Sequence, residues 1–201
     1  EATGALKHVL EKLDLQYEVD PGEGVFYGPK IDIKLKDAGG HVWQGPTIQV
    51  AFNLPQRFNV CYIAEDGLER NVVMIHRVVL GAMERFMACL TEHYGGAFPV
   101  WLSPVQTIII PIADRHVGYA HKIEGDFQND GVRVQVDDRS ERMNLKIREA
   151  QLEKVPYMLI VGDKEMALSS VSLRLRSGED VGLETVAQVK NRIRTAIEAK
   201  S

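Results

Sequence analysis

A histidine and an arginine nine residues apart could contribute to one binding site. His76 follows an apolar run, and Arg85 comes one helical turn after Gly81, where a ligand or another backbone could approach closely. Arginine offers a planar set of donors that suits phosphate, and a helix N-terminus adds partial positive charge. The pattern therefore indicates nucleotide phosphate binding. Two alternatives stay open. His76 could be a hydrogen-bonded core histidine and not a metal ligand, and Arg85 could form a salt bridge.

A glycine-rich loop precedes the first predicted strand. It has the sequence Gly-Glu-Gly-Val-Phe-Tyr-Gly-Pro-Lys and ends at Lys30. Three glycines and a proline around aromatic residues are typical of a fixed loop that brings backbone close to a ligand and presents Tyr27 and Lys30 to it. A plain turn with a solvated Lys30 is the alternative.

Three neutral polar residues, Gln44, Thr47 and Gln49, interrupt an apolar stretch in the next predicted strand. Polar groups that face a core need partners, or they line a wet pocket. A small substrate that carries an ammonium and a hydroxyl group would suit them. An exposed strand face explains the same pattern equally well on periodicity alone.

The elements predicted around these residues form an antiparallel sheet with helices. Strict alternation of apolar and polar residues from Lys30 to Asp37 is typical of a half-buried strand, and Gly39-Gly40 suits a hairpin turn. Pro46 in the returning strand indicates an edge or a bulge. The full set is a helix through Leu6, Val9, Leu10 and Leu13, strands at 30–37, 41–52, 58–64 and 72–75, the last one buried, and a helix that follows it directly at about 77–93.

Strands and helices alternate in the second half. Such βαβαβ order predicts a mainly parallel sheet with helices on both faces. Gly95-Gly96 suits the end of the preceding helix, and a proline-containing connector follows, so the predicted domains are residues 1–102 and 103–201. The predicted strands are 107–112, 132–136, 157–161 and 171–176, and the predicted helices are 116–129, 141–153 and 183–199.

Composition excludes several classes of protein. The chain has 201 residues, of which 45% are hydrophobic and 26% charged, as in ordinary globular proteins, and no apolar run is long enough for a membrane span. Its two cysteines, Cys61 and Cys89, lack the spacing of a disulfide scaffold or a cysteine-based zinc site, so a reducing cytoplasm is expected. Residues 1–102 carry 9 basic and 13 acidic side chains, against 15 and 15 in 103–201. Bulk charge therefore does not indicate nucleic-acid binding.

Taken in order, these stretches resemble the threonyl-tRNA synthetases, a family of class II aminoacyl-tRNA synthetases. The glycine-rich loop matches in full, and Trp-Gln-x-x-Thr-x-Gln follows at Trp43. His76 opens a His-Arg-x-x-Leu-Gly-x-x-Glu-Arg-Phe form of the third class II motif. Leu-Pro-x-Arg-Phe begins at Leu54, Tyr-Gly-Gly-x-Phe-Pro-x-Trp-Leu-Ser-Pro begins at Tyr94, and Val-Pro-Tyr-Met-Leu and Val-Gly-Asp-Lys-Glu match in the second half. The resemblance covers essentially the whole chain.

The resemblance implies a partial class II antiparallel catalytic sheet, followed by a mixed-sheet anticodon-binding domain. Enzymes of this family activate threonine with ATP and Mg²⁺ and then esterify tRNA(Thr), as cytoplasmic homodimers with no membrane attachment. His76 resembles one of three Zn²⁺ ligands, and the zinc binds the amino and hydroxyl groups of threonine. The remaining roles implied are catalysis for Arg85 and Lys30, ATP binding for Arg85, Gln44 and Thr47, and threonine binding for Tyr27, Gln44, Thr47 and Gln49.

The second domain is implied to read the anticodon. Anticodon bases are unstacked, so proteins recognise them by hydrogen bonds to base edges and by stacking. Glu165 and Arg174 match the family's base-reading positions, and Ser140 stands beside Arg139 where an asparagine often reads the anticodon. A solvated helix face is the alternative for the basic residues here. Those expected to approach phosphates are Arg139, Arg142, Lys146 and Arg148.

The implied active site is incomplete in these 201 residues. The other two zinc ligands and the motif 2 arginine of the family have no counterpart in the sequence. A single ligand does not make a zinc site, so this polypeptide alone is expected neither to bind zinc tightly nor to aminoacylate tRNA. A stand-alone tRNA-binding or regulatory relative without catalysis is the alternative. A nucleotide-binding protein unrelated to tRNA is a third interpretation.

Overall fold

The computed structural model describes residues 2–201. The chain divides into two compact units, the first ending at His93 and the second running from Tyr94 to Ser201. No helix within the described residues is both long enough and apolar enough to cross a lipid bilayer.

The first unit is built on a three-stranded antiparallel sheet in the order β1-β2-β5. A separate two-stranded hairpin is formed by β3 and β4. The predicted strands at 30–37 and 41–52 are confirmed as β1 and β2. The elements are α1 (Ala2–Lys12), β1 (Lys30–Lys36), β2 (Val42–Ala51), α2 (Asn53–Arg57), β3 (Cys61–Ile63), β4 (Glu69–Asn71), β5 (Met74–Val78) and α3 (Met83–Tyr94).

Three expectations for this unit were wrong. The strand expected at 58–64 is only Cys61–Ile63, and a short helix precedes it. The strand expected to be buried at 72–75 lies at the sheet edge, where Ile75 is 64% exposed. The helix expected from about Arg77 begins at Met83. Residues up to Val78 pair with β2, and Gly81 has a φ of +74°, so helical backbone begins only after that turn.

The second unit is a five-stranded mixed sheet in the order β10-β9-β8-β6-β7. β6 is parallel to both of its neighbours, whereas β9 is antiparallel to β8 and to β10. The mixed α/β fold class is confirmed, but the expectation of a mainly parallel sheet was wrong, since β9 and β10 join it in antiparallel orientation. The elements are β6 (Thr107–Pro111), a 3-10 turn (Asp114–His116), α4 (Val117–Asn129), β7 (Val134–Val136), α5 (Met143–Leu152), β8 (Tyr157–Val161), α6 (Asp163–Ala167), β9 (Ser170–Leu175), β10 (Asp180–Thr185) and α7 (Val186–Glu198).

Two elements, α6 and β10, were not predicted from the sequence. Residues 183–185, expected to open the last helix, are paired with β9 instead. Thr185 then caps α7, because its hydroxyl accepts a hydrogen bond from the Gln188 N–H at 3.3 Å. The last helix therefore begins at Val186.

Helices cover both faces of this sheet. On one face, Phe127 of α4 and Ile193 of α7 are fully buried against Ile109 and Leu159. On the other, Ile147 of α5 packs with a second cluster of strand residues. Because both faces of these strands are covered, β6 and β8 carry apolar residues on both faces, and the buried Thr107 at the start of β6 is the polar exception.

The segment before β6 is held to the second unit through its backbone carbonyls. Arg133 donates to the carbonyl oxygens of Trp101 at 2.8 Å and Ser103 at 2.9 Å, and the buried Gln106 amide donates to that of Val100 at 2.9 Å. Arg176 donates to the Phe98 carbonyl at 2.5 Å. The segment from residue 98 to 106 is therefore an ordered part of this unit.

Candidate functional site

One face of the first unit's sheet gathers most of the predicted pocket residues. In the antiparallel register, Lys30 is opposite Gln49, and Gln49 is opposite His76. The neighbouring row pairs Asp32 with Thr47. Directly opposed residues, and residues two apart on one strand, lie on the same face, so these five side chains share one surface.

A bulge in β2 brings a sixth polar side chain to this surface. The register shifts between Asp32 and Lys34, so that Lys34 pairs with Gln44. Pro46 lies in the extra stretch and has no N–H to give to the ladder. β2 is the central strand of the sheet. The proline is therefore tolerated because of the bulge and not because it lies at a sheet edge. The Gln44 amide consequently reaches Thr47 Oγ1 at 3.3 Å.

Asp32 is the centre of this polar group. Its Oδ1 accepts hydrogen bonds from Gln44 Nε2 at 2.9 Å and from Thr47 Oγ1 at 2.7 Å, and its Oδ2 lies 2.5 Å from Lys30 Nζ. Partial burial opposes ionisation of Asp32, but the hydrogen bonds from Lys30, Thr47 and Gln44 outweigh it and lower the pKa of this carboxyl. Asp32 therefore fixes the positions of three predicted site residues.

Sequence reasoning missed Asp32 as a site residue. The alternation in β1 places Asp32 with Lys34 and Lys36 on its polar face, and such a face is usually solvated. The side chains of Asp32 and Lys30 are only 18% and 17% exposed. The alternation that put Asp32 on the same face as Lys30 was the available signal.

Two glycines let the start of α3 approach the sheet. A Cβ on Gly81 would lie 2.9 Å from the carbonyl oxygen of Gly45, and a Cβ on Gly45 would lie 2.9 Å from that of Ile33. Backbones are therefore in contact at the bulge. Arg85 is the third residue of α3 and is exposed, four positions after Gly81.

His76 is exposed in the middle of β5, not at a junction between a strand and a helix. A sealed core histidine is therefore excluded. Among residues 2–201, no three His, Cys, Asp or Glu side chains are grouped to hold a metal ion. One imidazole does not fit zinc without further ligands, so no chemistry is assigned to zinc here.

The loop before β1 is fixed by a close backbone contact. Gly28 has a φ of +150°, and a Cβ there would overlap the carbonyl oxygen of Val50. The Phe52 N–H donates to the Tyr27 carbonyl at 3.2 Å, and the Tyr27 ring meets Phe26 edge-on at 4.6 Å. Tyr27 is thereby held beside the end of β2.

In the second unit, a cavity of about 400 Å³ opens at the carboxyl ends of β6 and β7. Its lining includes Ala113 and Val117 after β6, and Arg139 and Ser140 after β7. Ligands of open sheets with parallel strands bind at this end of the strands. Two of the four predicted anticodon residues therefore lie together in one cleft.

The basic residues of this cleft are largely paired within the chain. Arg139 binds Asp137 Oδ2 at 2.7 Å and Glu149 Oε2 at 2.6 Å, which raises the pKa of the guanidinium. Lys146 is buried, and its Nζ donates to the Asp137 carbonyl at 2.8 Å. Arg142 in the cleft lining is exposed, as is Arg148 outside it.

Glu165 and Arg174 lie apart from each other along β8. Glu165 Oε2 accepts from the Gly162 N–H at 3.0 Å, immediately after the carboxyl end of β8. Arg174 is opposite Met158, about 10 Å back along the strand. Its Nη2 binds Asp180 Oδ2 at 2.9 Å, while its buried Nε has no partner among the described residues. A buried donor without a partner is uncommon in folded proteins.

Acid is expected to destabilise the second unit partly through Asp137. A hydrogen bond from Arg139 lowers the pKa of this carboxyl, and its burial opposes that only in part. A lowered pKa in the folded state adds stability above about pH 4, and this stability is lost as the pH falls through the folded value. Thermal midpoints from circular dichroism should therefore fall less steeply below pH 4 for Asp137→Asn than for the wild type. Asp138→Asn, at an exposed position, serves as the control, and an unchanged slope for Asp137→Asn would refute this assignment.

Two family profiles match the chain, one in each unit. Residues 2–94 match the tRNA synthetase class II core domain (G, H, P, S and T). Residues 106–196 match the anticodon binding domain.

Similar proteins match over nearly the whole chain. A threonine–tRNA ligase of Dehalococcoides mccartyi is 58% identical over 200 residues, which is 100% of this chain and 34% of that protein. One of Natranaerobius thermophilus is 52% identical over 98% of this chain and 31% of that protein. The crystal structure of the RNA binding domain of threonyl-tRNA synthetase from Cryptosporidium parvum matches with a TM-score of 0.87 and 40% identity, covering 97% of this chain and 50% of that one. The chain spans about a third of the length of the two ligases.

Proposed function

Because this chain belongs to the threonyl-tRNA synthetase family and matches its C-terminal part, we propose that it acts in the ligation of threonine to tRNA(Thr). The first unit completes a site in which threonine and ATP form threonyl-adenylate. The second unit recognises the anticodon. The shared polar face around Asp32 and the cleft at Ser140 are the observations that support these two roles.

The polar sheet face suits an amino acid and its adenylate. Gln44, Thr47 and Gln49 supply neutral donors and acceptors for the ammonium and hydroxyl groups of threonine, and Tyr27 is held beside the end of β2. Lys30 supplies a positive charge next to this group. The stabilisation of negative charge that develops on the reacting phosphate is the largest contribution that such a site can make to catalysis.

Arg85 is assigned to the phosphates of ATP, with Mg²⁺ sharing their charge. Its guanidinium is exposed at the start of a helix, where backbone N–H groups also favour anions. The carboxylate of threonine attacks the α-phosphate and pyrophosphate leaves, so positive charge on the leaving group lowers the barrier. Homodimer formation, as the family implies, belongs to the same proposal.

The second unit is assigned to base recognition. A cavity of about 400 Å³ is large enough to accept an unstacked base. Ser140 can hydrogen-bond either to donors or to acceptors on a base edge, Glu165 can accept from a base amino group, and Arg174 can donate to carbonyl and ring-nitrogen acceptors.

Binding of an RNA hairpin that carries the anticodon arm of tRNA(Thr) tests this assignment. The 201-residue chain is expected to bind it more tightly than hairpins in which single anticodon bases are replaced. Arg174→Gln should reduce that preference about tenfold, since one good base contact contributes about 1–3 kcal/mol. Arg194→Gln, on the exposed side of α7, is the matched loss of one charge and should leave the preference unchanged. Equal binding of all hairpins would reject anticodon recognition.

Threonine-dependent ATP–pyrophosphate exchange separates the catalytic proposal from its alternative. The full-length ligase is expected to catalyse exchange, whereas the 201-residue chain alone is expected to be inactive. A tRNA-binding or regulatory protein without catalysis would bind the hairpin and show no exchange at any length.

A further inference from the structure

Two loops at the carboxyl end of the second unit's sheet are joined through a buried histidine. His116 is 1% exposed and lies in the 3-10 turn after β6. Its Nδ1 is 3.2 Å from the Ala113 N–H, and its Nε2 is 2.9 Å from Asp163 Oδ1, at the first position of α6. Since the Ala113 N–H can only donate, Nδ1 accepts and the proton is on Nε2, which donates to Asp163.

Arg115 strengthens the same junction from outside. Its Nε donates to Asp163 Oδ1 at 2.8 Å, and its Nη2 donates to Oδ2 at 2.5 Å. Hydrogen bonds from Arg115 and then from His116 lower the pKa of the Asp163 carboxyl. Asp163 is therefore an anion bonded from two sides by consecutive residues of one turn.

The helix that begins at Asp163 has little stability of its own. It has five residues, Asp163–Ala167, and isolated helices shorter than about 12 residues are marginal in water. Its position must be set by tertiary contacts. Gly162 packs tightly on Ile112, where a Cβ would lie 2.7 Å from Ile112 Cδ1, and His116 and Arg115 bind the residue that follows.

Glu165 depends on this placement. It is the third residue of α6, and its Oε2 accepts from the Gly162 N–H at 3.0 Å. Among the described residues, no hydrogen bond reaches its Oε1, which remains able to accept from a base. A shift of Asp163 would move Glu165 with it, because only Lys164 lies between them in the same helical turn.

The geometry points to His116 as a positioning residue that fixes Glu165 for base recognition by anchoring Asp163. This inference rests on the proposed function, in which Glu165 reads the anticodon. His116 does not touch the RNA in this scheme. It acts only through the α6 turn.

Binding of hairpins with single anticodon replacements tests this role. His116→Phe keeps an aromatic ring, although a larger one, but loses both hydrogen bonds, and it should reduce the preference for the unaltered hairpin about fivefold, a part of one base contact. His116→Gln keeps a donor where Nε2 lies and should retain the preference. His121→Phe removes an exposed histidine of α4 and is the matched control. Retention of the full preference by His116→Phe would overturn the inference.

A double substitution separates positioning from general loss of structure. If His116 acts through Glu165, then His116→Phe combined with Glu165→Gln should be no worse than Glu165→Gln alone. Additive losses would contradict the inference. If His116→Phe fails to fold, Asp163→Ala removes both acceptor oxygens of the same junction from the exposed side and should reproduce the fivefold loss.

Hydrogen exchange of the Gly162 amide gives a readout that needs no RNA. This N–H donates to Glu165, so its exchange should accelerate about tenfold in His116→Phe and remain slow in His116→Gln and His121→Phe. Unchanged exchange in His116→Phe would reject the positioning role. Wild-type protein that protects Gly162 but does not distinguish the hairpins would instead reject the proposed function.

Discussion

Replacement of Asp32 by asparagine is expected to slow threonine-dependent ATP–pyrophosphate exchange by about 100-fold in the full-length ligase. Asp32 holds Lys30, Gln44 and Thr47 by direct contacts of 2.5–2.9 Å. Asparagine has an N–H₂ group in place of one of the two carboxylate oxygens. This donor would face either the ammonium group of Lys30 or the hydroxyl of Thr47, and one of these contacts would be lost. A misplacement of about 1 Å at a reacting centre can cost about 100-fold in rate.

The control for this substitution is Asp20→Asn. Asp20 lies 3.8 Å from Lys34, and both side chains are exposed, so its loss removes only a surface ion pair worth little. The two variants have the same change in charge on the same unit. Exchange rates that fall equally in both would show that Asp32 has no special role.

Replacement of Gly28 by alanine is expected to destabilise the first unit by about 3 kcal/mol and to reduce adenylate formation with it. The added Cβ would overlap the Val50 carbonyl oxygen, which belongs to the central strand and cannot rotate away. Backbone strain at a positive φ and overpacking each cost about 1–3 kcal/mol. Urea unfolding followed by circular dichroism measures the loss of stability.

Alanine substitutions at two neighbouring glycines separate the contribution of backbone strain from that of the contact with Val50. Gly22 also has a positive φ, of +103°, but a Cβ there would meet nothing within 4 Å, so Gly22→Ala measures strain alone. Gly24 has neither constraint, so Gly24→Ala should be close to neutral. A Gly28→Ala variant no less stable than Gly22→Ala would show that the contact with Val50 is unimportant.

Much of the architecture could be predicted because local patterns and tertiary structure agree. The alternation in β1, the turn at Gly39-Gly40 and the apolar strands of the second unit each specified their elements, and the fold class followed. Pro46 indicated an edge or a bulge, and the structure has the bulge, which turns Gln44 toward Thr47. The family resemblance rested on several motifs together and is confirmed by matches over the whole chain.

The remaining features depend on contacts between residues far apart in sequence. The apolar run before His76 suggested a buried strand, but burial depends on which neighbours cover an edge, and periodicity carries no information about that. The start of α3 was set by Gly81 against Gly45. The central role of Asp32 required the register of β1 and β2, and the pairing of Arg139 required Glu149, ten residues away.

The anchored segment before β6 has a practical consequence for shortening this protein. Its prolines and aromatic residues look like a linker, and Ser103 looks like a natural place to cut. A polypeptide beginning there would strip away the carbonyls of Phe98, Val100 and Trp101, leaving the buried Gln106 amide without its acceptor. Each buried donor left without an acceptor costs about 1–3 kcal/mol. A polypeptide of the second unit that starts at Tyr94 should therefore have a higher free energy of unfolding than one that starts at Ser103.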